Sequence, residues 1–176
     1  MTGWALAVLA SLCVCTTELR AQSTADTQFQ ANLDRMARID SFAWAGPTFL
    51  RQDSTVEKVR ALDRITREQT QTELSPIDRK PIRYTTLKFE NGLEMQFRTF
   101  DTPTKLQVLK VALSSAKWPV SEGLGVGAPV ARVVRLLGAG KQTPDSWLQY
   151  SGETEHVDFL IKDGLISSVV FTYSSD

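Results

Sequence analysis

A single histidine, two cysteines and no excess of either charge mark this chain of 176 residues, in which 20 Lys and Arg face 20 Asp and Glu. Without a positive excess it lacks the phosphate-neutralising charge on which general nucleic-acid or anionic-membrane binding depends. The lone histidine leaves metal chemistry to carboxylates, and these are scattered without the spacing of a calcium loop. With 42% hydrophobic and 23% charged positions, 10 Gly and 7 Pro, the chain is too apolar for disorder and too irregular for a coiled coil or a collagenous repeat. One ordinary globular domain remains.

An uncharged apolar run, Trp4 to Cys15, is followed by Leu19-Arg20-Ala21 ahead of Gln22. The run is short for a bilayer span but suits a secretory signal peptide over residues 1–21, cut after Ala21. Cleavage leaves residues 22–176, still neutral and without cysteine, so neither a disulfide nor a thiolate metal site is expected. Leu12 and Val14 precede the two cysteines where a lipoprotein signal needs a small residue, so lipid anchoring is not expected either. The predicted location is periplasmic or secreted, with no integral membrane segment after cleavage.

Two units follow, over residues 22–118 and 119–176. Phe29, Leu33, Met36 and Ile39 recur at helical spacing, which predicts an amphipathic helix over 24–41. Ser54-Thr55-Val56-Glu57 reads as a capping box opening a second helix, with Val56, Val59, Leu62 and Ile65 inward and an Asp63–Arg67 pair outward. Residues 81–100 alternate on both sides of Asn91-Gly92. A two-residue turn there sets Phe89 against Glu94, whereas a three-residue loop sets Phe89 against Leu93 and Leu87 against Met95, so the longer loop is predicted, with Gly92 left-handed. Pro103 ends this hairpin, and residues 106–113 form a third strand. In the second unit Pro129 opens a helix whose stripe is Val130, Val133, Val134 and Leu137, and Gly138 closes it. A strand at Trp147–Tyr150 and a hairpin about Asp163-Gly164 follow, the same three-residue argument pairing Ile161 with Leu165 and Val157 with Val169.

Val56, Val59 and Leu62 match Val130, Val133 and Leu136, and Asn91-Gly92 matches Asp163-Gly164, at nearly equal shifts. This reads as a duplication of a helix-plus-antiparallel-meander unit. Neither half has the alternation of a parallel sheet, so the fold class is α+β, one antiparallel sheet with helices on one face.

Three motif lookalikes fail on context. Gly123-Leu124-Gly125-Val126-Gly127-Ala128 fits a dinucleotide-binding pattern but lacks a strand directly before it and a parallel strand after it. Gly138 to Thr143 resembles a phosphate loop but has Arg135 and Gln142 at two defining positions. His156 and Asp158 share a strand face, yet no nucleophile elbow or oxyanion loop accompanies them. No cofactor is expected. A small hydrolase using His156 with a carboxylate, and a small-ligand carrier, stand as alternatives to a binding protein.

One asymmetry survives. From residue 142 onward six acidic side chains face Lys162 alone. On the second hairpin the face opposite the predicted core carries His156, Asp158, Leu160, Ile166, Ser168 and Val170, apolar groups ringed by polar ones as on a protein-binding patch. On this reading Leu160→Asp and Ile166→Asp both disrupt binding without unfolding the domain.

The second unit resembles the SmpA/OmlA family of barrel-assembly lipoproteins and the related repeat of β-lactamase-inhibitor proteins. The resemblance rests on Gly125-Val126-Gly127, Val130, Val133 and Val134 running to Leu136-Leu137-Gly138, the aromatics Trp147 and Tyr150, and Val157-Asp158-Phe159 before Lys162-Asp163-Gly164. It implies helices on an antiparallel sheet in an exported bacterial protein that binds another envelope or secreted protein and is not an enzyme. Two departures stand out: the lipoprotein cysteine context is absent, and Ala139-Gly140-Lys141 occupies a position where the family often has proline.

Overall fold

Helical periodicity and capping place the first elements of the chain. In the computed structural model, which describes residues 5–50, 54–100 and 106–174 with side chains from residue 25 onward, α1 runs unbroken over Ala5–Ala45. The expected cleavage point after Ala21 falls in the part of α1 whose side chains are outside the described residues. Among the described side chains of α1, those at its C-terminal end dock: Ile39, Phe42 and Ala43 are buried, Met36 is half-buried, and Phe29 and Leu33 are exposed. The predicted stripe is therefore half right, since its first turns have no sheet to pack on.

The second predicted helix is shorter than its pattern. α2 spans Val56–Arg60, and its N-cap is Thr55, whose Oγ1 accepts the Lys58 N–H at 3.3 Å. The helix ends before Leu62, and Ile65 starts a strand. Asp63 does not pair with Arg67 as predicted. It accepts hydrogen bonds from the Asn91 amide, from Lys117 Nζ at 2.7 Å and from the Arg64 N–H at 2.8 Å, and these donors pull its carboxyl down to about 2.

Among the described residues eight strands follow: β1 (Ile65–Leu74), β2 (Pro81–Phe89), β3 (Leu93–Thr99), β4 (Leu106–Leu113), β5 (Lys141–Gln142), β6 (Trp147–Ser151), β7 (His156–Lys162) and β8 (Leu165–Thr172), with α3 (Val130–Leu137) between β4 and β5. They form one antiparallel sheet in the order β1-β2-β3-β4-β8-β7-β6-β5. The class is thus α+β with a single open sheet. The matched dipeptides are not equivalent in it, for Asn91-Gly92 joins β2 to β3 while Asp163-Gly164 joins β7 to β8. Pro103 lies outside the described residues.

The first hairpin has the predicted register, Leu87 opposite Met95 and Thr85 opposite Phe97, with Gly92 at φ 71°. The second does not. Asp163 and Gly164 both have positive φ, 53° and 75°, the torsions of a two-residue type I′ turn, and Lys162 pairs with Leu165. A bulge at Ser167 then restores the pleat, so that Phe159 faces Val169 and Val157 faces Phe171 in place of Val169. The bulge coincides with a second set of backbone bonds: Ile166 donates to Ala128 O at 2.9 Å and accepts from the Gly127 N–H at 2.8 Å. The glycine-rich segment before α3 is therefore spent on β8, and its amides are not a phosphate cradle.

The core lies between the sheet and a layer made of α1, α2, α3 and the connecting segments. Leu87, Met95, Phe97, Val111, Val157, Phe159, Val169 and Phe171 point into it. In α3 only Val133 and Leu137 are fully buried, and Val134 turns to solvent. Phe42 stacks near both Phe159 and Phe171, with ring centroids 6.2 and 5.9 Å away, and Tyr150 meets Phe159 edge-on. Each such pair contributes about 0.5–1.5 kcal/mol beyond its buried area. Gly46 lies against Phe171, where a Cβ would collide with the ring. Polar contacts seal the far end of α1: the Tyr173 hydroxyl donates to Ala43 O at 3.1 Å, and Asp40 caps the turn between β6 and β7.

Beside that turn Glu155 is almost fully buried. Burial pushes its carboxyl above the ordinary 4.5, the Ser174 N–H opposes this, and the Asp40 carboxylate adds to it. Between about 4.5 and the raised value the folded chain holds more protons than the unfolded one, so stability falls as pH rises through that window and is level above it. Glu155→Gln, which keeps an acceptor for Ser174 but does not titrate, is expected to gain stability relative to the parent on going from about pH 4 to about pH 7. Parallel melting curves for the two proteins across that range would contradict the assignment.

Candidate functional site

Strand alternation divides each strand between the face turned to the helical core and the opposite face. On β7 the covered side holds Val157 and Phe159, so His156, Asp158 and Leu160 point the other way. On β8 the same logic sends Ser168 and Val170 to the open face, since Val169 and Phe171 are buried. Pairing makes them neighbours: Leu160 stands opposite Ser168, Asp158 opposite Val170, and His156 opposite Thr172. Five of the six residues predicted from the sequence thus share the open face. The sixth does not. Ile166 is 1% exposed and belongs to the core, because the bulge at Ser167 turns it across the sheet.

The open face continues past the hairpin in both directions. Gln149 and Ser151 of β6 stand beside Asp158 and His156. On the other side the row through Val170 runs on to Ala112, Glu94 and Lys88, and the row through Thr172 to Lys110, Gln96 and Thr86. Most of these side chains are half-buried by their neighbours, while His156 and Lys88 are exposed. Lys88 and Glu94 pair at 2.8 Å, and Ser168 Oγ donates to Leu113 O at 2.9 Å. The surface is a mixed polar and apolar plate with its own internal bonds.

Asp158 is the electrostatic centre of the patch. Partial burial raises its carboxyl above the ordinary 3.8, while the positive charges of His156 and Lys110 pull it down. Sequence reasoning found Asp158 and His156 but not Lys110, which becomes their neighbour only through the long-range pairing of β4 with β8.

A cleft of about 710 Å³ opens at the β6 margin of the patch, where β5 is only two residues long; Arg35, Lys141, Gln149, Ser151, His156 and Asp158 contribute to its wall. Ser151 stands opposite His156 in the register, so a hydroxyl, an imidazole and a carboxylate share one margin. Ser151 ends β6 at the turn into β7, and no helix follows it to form the strand-to-helix elbow that presents a nucleophile. Buried apolar side chains of both layers meet at the helix–sheet interface, and a more apolar cleft of about 410 Å³ involves Trp44, Leu50, Leu106 and Tyr173. Among the described residues, no group of three His, Cys, Asp or Glu is placed to hold a metal ion, and no helix is long and apolar enough to cross a membrane.

The fold and this surface define the chain as an α+β protein with one face of an antiparallel sheet covered by helices and the other left open. No family model, curated protein or solved structure matches it.

Proposed function

We propose that this chain is an exported, non-enzymatic protein-binding module of the bacterial cell envelope, an assembly accessory, inhibitor or immunity-type protein that grips another envelope or secreted protein with the open face of its sheet. The observation that carries the reading is the sidedness of the sheet: the helical layer covers one face, and the other presents Leu160 and Val170 among Asp158, His156 and Ser168. Apolar contacts within a polar rim are the composition of a protein interface. Residues 1–21 act in this reading as a signal peptide, without lipid attachment. The meanders β1–β4 and β5–β8, each following a helix, are taken as copies of one duplicated unit, in line with the resemblance to the SmpA/OmlA and β-lactamase-inhibitor repeats.

The test is proximity crosslinking of tagged protein in the envelope, followed by binding measurements with the purified partner. Leu160→Asp and Val170→Asp are each expected to weaken binding at least about tenfold, as central interface contacts do, with the melting temperature little changed. Normal binding by both variants removes the open face from the interface. The shared margin of Ser151, His156 and Asp158 favours the hydrolase as second reading. A hydrolytic activity lost in His156→Ala, with binding unaffected, establishes it.

A further inference from the structure

The sheet has two edges, and they are built differently. At one end β5 is two residues long, and a very short edge strand is itself a guard against unwanted pairing. At the other end β1 runs for ten residues, nine of them exposed, and among the described residues no strand pairs with its outer side. β1 contains neither the proline nor the lysine with which edges are commonly blunted. A row of free backbone donors and acceptors of this length is a template for another strand.

We propose that β1 pairs with β1 of a second copy, antiparallel about a two-fold axis through Thr70, so that two eight-stranded sheets become one. A contact about such an axis requires a strand complementary to itself. With the axis at Thr70, Arg67 lies opposite the partner's Glu73, and Glu73 opposite the partner's Arg67. Gln69 faces the partner's Gln71. These side chains share a face, because the intervening Glu68 and Thr70 oppose Leu87 and Thr85 on the helix side. Arg67 has no ion pair within its own chain among the described residues, and Glu73 accepts only the Gln71 amide, at 3.0 Å.

The register is selective. A two-fold that relates two antiparallel edge strands stands perpendicular to the sheet and keeps the open faces of both copies on one side, so opposed residues share parity and the axis passes through a residue rather than between two. An axis through Gln69 pairs Arg67 with a glutamine, and one through Gln71 pairs Glu73 with a glutamine. Only the axis through Thr70 joins both opposite charges. Glu68 keeps its own partner, Arg60, at 2.5 Å, and meets the partner's Thr72 without conflict.

Light scattering over a concentration series of the full chain is expected to show a monomer–dimer equilibrium that weakens with salt. Arg67→Glu replaces two attractive cross-strand pairs by two repulsive ones, and is expected to weaken the dimer about tenfold. Combining it with Glu73→Arg restores the charge match and the affinity. In a background with Cys13→Ser and Cys15→Ser, Thr70→Cys meets its own copy across the axis and is expected to oxidise to a disulfide dimer faster than Thr72→Cys. A chain that stays monomeric at every concentration overturns the proposal. So does a dimer indifferent to Arg67→Glu, or a charge swap that fails to rescue it. The inference is independent of the open-face reading, since Leu160→Asp leaves β1 untouched and the dimer intact.

Discussion

Ile166→Asp is expected to cost at least about 4 kcal/mol, because it puts a carboxylate among apolar side chains and removes a buried branched one at the same time. Set against the about 5–15 kcal/mol that holds a typical domain together, this leaves the variant wholly or largely unfolded. Leu160→Asp, on the neighbouring strand beside Ile166's partner Ile161 but on the open face, is expected to change stability by no more than about 1 kcal/mol. Denaturant titration of the pair measures both. Both positions lie on the same apolar–polar pattern in the sequence, and only the bulge at Ser167 separates them. Equal costs for the two substitutions would show that the bulge is absent.

The second large effect is expected at Asp40. Its carboxylate accepts three backbone N–H groups from the turn between β6 and β7: Glu153 at 2.8 Å, Thr154 at 3.3 Å and Glu155 at 2.9 Å. Hydrogen bonds to a charged acceptor contribute about 1.5–3 kcal/mol each, less where water replaces them, so Asp40→Ala is expected to lose about 2–4 kcal/mol. Asp40→Asn, which keeps one oxygen, falls between. The turn fits closely enough that Gly152 has no room for a Cβ against the carboxylate. Hydrogen exchange checks the mechanism: the amides of residues 153–155 lose protection in Asp40→Ala before the rest of the sheet does. Uniform loss across the sheet contradicts a local capping role.

The two hairpins show how far local reasoning reaches. Both contain a turn dipeptide flanked by alternating residues, and the same parity argument applies to each. It succeeds at Asn91-Gly92, where the three-residue loop aligns Leu87 with Met95 directly. It misses at Asp163-Gly164, where the strand takes the tighter turn and corrects its parity at Ser167 instead. Both routes bring apolar residues to one side, and the choice is made by the bonds of Ile166 to Gly127 and Ala128, some forty residues earlier. β1 was invisible for a related reason: an edge strand exposed on both sides has no hydrophobic alternation, and Ile65 completed a helical stripe instead. Its β-branched threonines, Thr66, Thr70 and Thr72, were the available signal.

The candidate site was legible to the same degree. His156, Asp158, Leu160, Ser168 and Val170 could be placed on one face from alternation alone, whereas Lys110, Gln149 and Ser151 join them only through pairing with distant strands.

By itself the sequence determined what depends on a few consecutive residues: the α+β class, the helix carrying Met36 and Ile39, the helix between Pro129 and Gly138, and the register of the first hairpin. These follow from side-chain period and turn torsions, which are set within a few residues. The tertiary structure alone decided the side taken by Ile166, the strand at Ile65–Leu74, and which face of the sheet stays open. Each of those rests on backbone bonds and packing between segments far apart in the chain, where several local arrangements satisfy the same pattern and the competition for partners selects one.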